Sequence, residues 1–229
     1  MRKDKLAEGE CYHIFNRGVD KRKIFENEND FRRFCISMDL LNDEQDGLMN
    51  RWRDFKKCVP RAQLSEFKEK HLNDRNGLVE IIAFCLNQNH YHMLMRQRGE
   101  RGIERFMHRM GTSYTNYFNE RHDRSGSLFQ GRFKSTYINS NSLLFYLSAY
   151  VNCNSEIHGI AKAKNYRWCS YGDYLGIHDS FKDILKKDLL TENFGKSGRY
   201  EEFANENIQH FKEKKYNEKQ EKFLIDSES

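Results

Sequence analysis

Apolar residues recur along this chain in two rhythms, every second position in some stretches and every third or fourth in others. Cys11-Tyr12-His13-Ile14-Phe15 reads as a first strand, ended by Arg17-Gly18. Phe31, Phe34, Cys35, Met38 and Leu41 then fall at helical spacing between Glu28 and Leu41, and Asn29 or Asp30 is the expected cap. Leu78 to Cys85 is rich in β-branched residues and predicts a second strand. Asn87-Gln88-Asn89 turns it into a third strand, Asn89 to Met95. A long helix follows through Ile103, Phe106, Met107, Met110, Tyr114, Tyr117 and Phe118. Phe133 to Ile138 predicts a fourth strand. Ser140 or Asn141 caps a last helix through Leu143, Leu144, Leu147 and Tyr150 to about Cys153. This β-α-β-β-α-β order plus one helix predicts an α+β, ferredoxin-like antiparallel sheet, with helices packed on one face and an appended helix carrying Tyr150.

Two segments stand outside the pattern. Residues 42–76 are charged and weakly periodic, contain the chain's single proline, Pro60, and read as an inserted, partly helical excursion. After Gly176 the chain again becomes strongly charged, most of all from Lys212 to Lys222. The expected organisation is therefore one domain over 1–176 and a charged extension over 177–229, helical or partly disordered.

Charge changes the picture more by its distribution than by its total. The 229 residues carry a formal net charge of +5. The stretch from His90 to Lys134 has nine basic residues against four acidic ones and so carries as much net charge as the whole chain. Such local density suits a polyanionic partner. The six cysteines form no C-x-x-C pair, which predicts free thiols in a reducing compartment. Neither a leader nor an apolar run long enough to cross a bilayer stands out, so the expected location is the cytoplasm, away from membranes. No nucleotide-binding loop of the G-x-x-x-x-G-K-[ST] type occurs.

The candidate chemistry sits in Asn89-His90-Tyr91-His92-Met93-Leu94-Met95. On a strand His90 and His92 project from the same side, about 7 Å apart, while Tyr91 points into the opposite layer. Two neutral imidazoles so placed are the beginning of a metal site, and they need at least one more ligand and an open position. Tyr150 and Asn154 are spaced to share one helix face and could look at the same ion; Glu80 is another possible third ligand. Beside a divalent ion that polarises a phosphodiester, a tyrosine can attack phosphorus. Tyr114 and Tyr117 are rival phenols, but both fall on the apolar stripe of their helix.

Five blocks in order resemble a known family. Tyr12-His13-Ile14-Phe15-Asn16-Arg17-Gly18, Asn89 to Leu94, Leu128-Phe129-Gln130-Gly131-Arg132-Phe133-Lys134, Tyr150-Val151-Asn152-Cys153-Asn154 and Tyr166-Arg167-Trp168-Cys169-Ser170-Tyr171 are similar to HUH single-tyrosine transposases of insertion sequences, and more closely to REP-associated tyrosine transposases. The resemblance runs from about Tyr12 to Gly176. It implies that His90, His92 and Asn154 bind Mg²⁺ or Mn²⁺ and that Tyr150 is the nucleophile. Arg17, Arg96, Arg98, Phe129, Gln130, Arg132 and Lys134 become the expected DNA contacts. It further implies cutting of single-stranded DNA beside a hairpin through a 5′-phosphotyrosine, by a homodimer or a monomer. Two other readings stay open at this point: a hairpin-binding protein that no longer cuts, and a metal-dependent hydrolase in which water attacks.

Overall fold

The computed structural model describes residues 6–72, 75–195 and 197–227. The opening Met1–Lys5, on which the expectation about a leader rests, lies outside them. Along the chain run β1 (Cys11–Arg17), α1 (Glu28–Leu40), α2 (Leu48–Cys58), α3 (Leu64–His71), β2 (Val79–Asn87), β3 (His90–Gln97), α4 (Gly102–Arg121), β4 (Lys134–Ile138), α5 (Asn141–Asn152), α6 (Asn154–Ile157), α7 (Tyr171–Tyr174), α8 (Asp188–Phe194) and α9 (Ser197–Ser227). The strands form one antiparallel sheet in the order β2-β3-β1-β4, as a ferredoxin-like topology requires.

Strand alternation sorts side chains onto two faces. Tyr12, Ile14, Ile81, Phe84, Leu86, Tyr91, Met93 and Met95 pack with Phe31, Phe34, Phe106, Met110 and Tyr114 of α1 and α4. On the other face Ile82, Ala83, Cys85 and Leu94 pack with Leu144, Ala149 and Val151 of α5 and with Tyr200, Ala204, Ile208 and Phe211 of α9. The sheet is thus covered by helices on both sides, α1 and α4 on one and the appended α5 with its successors on the other.

The parity of β2 changes once. Its pairing with β3 slips between Ile81 and Ala83, leaving Ile82 as an extra residue in a bulge. Val79 and Ile81 face α1 and α4, Ile82 and Ala83 both face α5, and alternation then resumes. Beyond the bulge Cys85 lies opposite His92 and Asn87 opposite His90.

Helix α1 begins one residue before the expected cap candidates. Asn27, in extended backbone, accepts from the Asn29 N–H at 3.0 Å, and Asp30 reaches back to the Asn27 N–H in a capping box. The excursion holds two helices, α2 and α3, around a small cluster of Leu40, Leu48, Trp52 and Phe67. Lys68 and Arg75 anchor it on Asp39, and Asn42 bonds both the N–H and the C=O of Val79.

Residues past Gly176 also enter the core. Phe181 and Leu185 join the α1–α4 side. Tyr200 of α9 accepts a hydrogen bond from Asn152 at 2.7 Å and donates to Ser148 at 3.1 Å, tying α9 to α5. Among the described residues no helix is long and apolar enough to cross a membrane.

Candidate active site

Rows of paired residues across an antiparallel sheet share a face, and three such rows build the site. The outermost runs Asn87–His90–Arg17, the next Cys85–His92–Phe15–Lys134, and the third Ala83–Leu94–His13–Thr136. All lie on the α5 side. The two-residue turn Gln88-Asn89 holds the first row at the sheet's end, where Asn89 O accepts from the N–H of Gly18 at 2.9 Å. A Cβ at position 18 would stand 2.3 Å from the Arg22 carbonyl oxygen, so only glycine fits that approach.

The hydrogen bonds around His90 fix its tautomer. Asn89 Oδ1 can only accept, so His90 Nδ1–H donates to it at 2.7 Å. Burial lowers the His90 pKa, which keeps the ring neutral and its Nε2 a lone-pair nitrogen. That Nε2 faces Asn154 Oδ1 at 3.2 Å, and Asn87 Nδ2 donates to both, at 2.9 and 2.6 Å. His92, also buried, is held well below the usual imidazole range by burial. Its Nδ1 lies 2.8 Å from Nε2 of His13. The His13 ring stacks against both Phe15 and His92, which also stack on each other, and burial lowers its pKa to about 4. His158, one turn after Asn154, approaches His90 at 4.7 Å between ring centroids and is likewise lowered to about 4 by burial.

Tyr150 stands on this same face. Its ring meets His92 edge-on at 5.5 Å and His13 at 6.0 Å, with Phe211 of α9 on another side at 5.2 Å. Tyr150 and Asn154 do not share one unbroken helix. Helix α5 ends at Asn152, Cys153 links, and Asn154 opens α6; Asn154 is nevertheless wholly buried against Asn87 and His90. The rival phenols lie on the opposite side of the sheet. Tyr114 donates to Ile24 O at 2.6 Å and Tyr117 to Asp30 at 3.1 Å; burial raises both, Tyr117 to about 12.

The remaining expected residues divide by position. Arg17 extends from the His90 row and bonds Gln130, whose N–H donates to Arg17 O at 2.9 Å. Gly131, at φ +83°, turns the chain beside them, and Arg132 and Lys134 are exposed nearby. Arg96 lies near the other end of β3, roughly 20 Å from His90 along the strand, and Arg98 just beyond that end. Arg96 is engaged there by Glu80, which removes Glu80 from the histidines. Phe129 turns its ring inward, edge-on to Tyr91 at 5.8 Å and half-buried against the α1–α4 layer.

Among the described residues no group of three or more His, Cys, Asp or Glu side chains is arranged to hold a metal ion. The available donors are instead two neutral imidazoles and amide oxygens. This mixed nitrogen and oxygen set is chemically compatible with Mn²⁺ or Mg²⁺. One further observation fits a cation: Asn154 aims Oδ1 at His90 while its buried Nδ2 has no hydrogen-bond partner. Such an orphan costs about 1–3 kcal/mol, a cost that a ligand to the oxygen would offset.

Sequence reasoning set His13 aside as a core or edge strand histidine and did not single out Asn87 or His158, the other residues of this cluster. His158 had a signal in its i+4 spacing from Asn154. The other two depend on pairing between strands, which no local spacing reports.

Comparisons with known proteins bear on the same segment. Residues 56–154 match the sequence model of a family described as IS200-like transposases, a span that contains His90, His92, Tyr150 and Asn154. A solved structure described as a REP-associated tyrosine transposase bound to a REP hairpin is similar to 77% of this chain and 84% of that one, with 11% identity and a TM-score of 0.46. No curated protein matches the chain.

Proposed function

Residues 56–154 match the IS200-like transposase family, and from that likeness we propose that this chain is a member of it, a metal-dependent endonuclease and strand transferase acting on single-stranded DNA beside hairpins. The observation that carries the reading is the meeting of Tyr150 with His92 on the face that also holds His90 and Asn154. In this reading His90, His92 and Asn154 hold Mg²⁺ or Mn²⁺. The bound ion supplies Lewis acidity toward the scissile phosphate.

The chain's own groups do the rest. The Tyr150 oxygen attacks phosphorus as its phenol proton is lost, the bond from phosphorus to the 3′ oxygen breaks, and the departing oxygen takes up one proton in its place to leave a free 3′-OH. The 5′-phosphate remains esterified to Tyr150, so the bond energy is kept for rejoining and no nucleotide is consumed. When the 3′-OH attacks in return, the phenol is released. Arg17, Arg132 and Lys134 would track the strand's phosphates into the first two rows.

A labelled hairpin oligonucleotide with Mn²⁺ tests the proposal on a denaturing gel. The expected result is a covalent protein–DNA band that disappears in Tyr150→Phe while hairpin binding is retained. Cutting without such a band would assign the attack to water, and binding without cutting would leave a hairpin-binding protein.

A further inference from the structure

Asn87 is the last residue of β2, directly opposite His90 and completely buried. Its amide nitrogen donates to Asn154 Oδ1 at 2.6 Å and to His90 Nε2 at 2.9 Å. Those two acceptors lie only 3.2 Å apart. With His90 Nδ1–H committed to Asn89 Oδ1, its Nε2 has no proton of its own to offer. Two lone pairs therefore converge beside two buried amides, and the –NH₂ of Asn87 is set between them as donor. A positive group is what this geometry asks for, and a neutral amide meets the need only in part.

The other end of the Asn87 amide is loosely held. Its Oδ1 accepts from the Cys85 thiol at 3.7 Å, a weak bond. A half-turn about the terminal torsion exchanges oxygen and nitrogen within the same volume, because that torsion is broad and two-fold. It would bring Oδ1 to where Nδ2 now stands, beside Asn154 Oδ1 and His90 Nε2.

We infer that Asn87 is a further cation ligand: its amide nitrogen takes the place of the ion in the cation-free protein, and its oxygen turns in to bind the ion when it arrives. The inference rests on the metal reading above. It adds a second amide oxygen to two imidazoles and so shifts the donor set toward the oxygen-preferring ions Mn²⁺ and Mg²⁺.

The test is Mn²⁺ titration of the full chain, followed by the electron paramagnetic resonance of the free ion, in wild type, Asn87→Asp, Asn87→Leu and His90→Ala. A carboxylate at position 87 supplies an oxygen that needs no rotation and adds a charge. Asn87→Asp is therefore expected to bind Mn²⁺ about tenfold or more tightly than wild type, and Asn87→Leu about tenfold more weakly. A strut that merely holds Asn154 in place would make both variants weaker, so Asn87→Asp binding no better than wild type overturns the inference. Should Asn87→Asp not fold alone, refolding with Mn²⁺ but not with NaCl of equal ionic strength supports it, and failure to refold with Mn²⁺ overturns it. Unchanged Mn²⁺ affinity in His90→Ala would instead overturn the metal reading itself, a distinct result.

Discussion

His13, His90, His92 and His158 share one face of the sheet, and burial lowers the pKa of each ring. Neutral imidazole is the form that binds metal, so under the proposed reading His90 and His92 are in their ligand form at neutral pH without any proton having to leave. The same burial makes stability depend on acidity. With folded pKa values below the unfolded value of about 6.5, the unfolded chain takes up protons first as pH falls. The stability tied to these rings is present above about pH 6.5 and is lost as pH falls through about 4, the value for His13 and His158. Urea midpoints should accordingly drop between pH 6.5 and 4. His13→Phe keeps a ring stacked on Phe15 and His92 but cannot titrate, so its drop should be shallower. Parallel curves for the two proteins would refute the assignment. At this scale His90 and His92 were legible because a period of two places them together whatever the strand's neighbours are. His13 was not, since its bond to His92 joins residues 79 apart in sequence, and β1 could have paired in another register.

Among elements, α1, α4 and α5 were readable from their apolar spacing, and the excursion from its lack of one. The structure adds that the excursion has a core of its own, in which Trp52 stacks near Phe55 and Phe67. Because those residues touch neither main cluster, Trp52→Ala should cost about 3 kcal/mol locally and open residues 42–76 to protease first, while Mn²⁺ affinity at the histidines stays unchanged. Loss of metal binding in that variant would show the excursion to be coupled to the site. The break between α5 and α6 was not legible: no proline or glycine marks it, and Cys153 simply leaves the helical path at φ −95° and ψ 9°. The cap at Asn27 was displaced from the expected residues for a similar reason, since several neighbouring polar residues could have served and geometry chose among them.

Across the whole molecule the two covered faces leave one end of the sheet, the His90 end, to collect charge. Arg17, Arg132 and Lys134 are exposed there, whereas Arg98 lies near the opposite end of β3. Binding of a single-stranded hairpin flank should weaken with salt, and Arg132→Ala should lower the slope of log affinity against log salt by about 0.7. Arg98→Ala should leave the slope as it is. Equal effects from both substitutions would mean that the strand runs the full length of the sheet. The sequence marked a basic stretch between His90 and Lys134 but could not divide it, because division depends on which way β3 points.

Ile82 gives β2 a spare tooth. Strict alternation counted from Val79 would send Asn87 into the aromatic layer under α1 and α4; the doubled step at Ile82 and Ala83 delivers it to the imidazoles instead. It follows that one residue of the Ile82-Ala83 pair can be excised with every other side chain still on its own face. Removal of any residue from Phe84 to Leu86 would be ruinous by comparison, turning the strand inside out at the point where the chemistry begins.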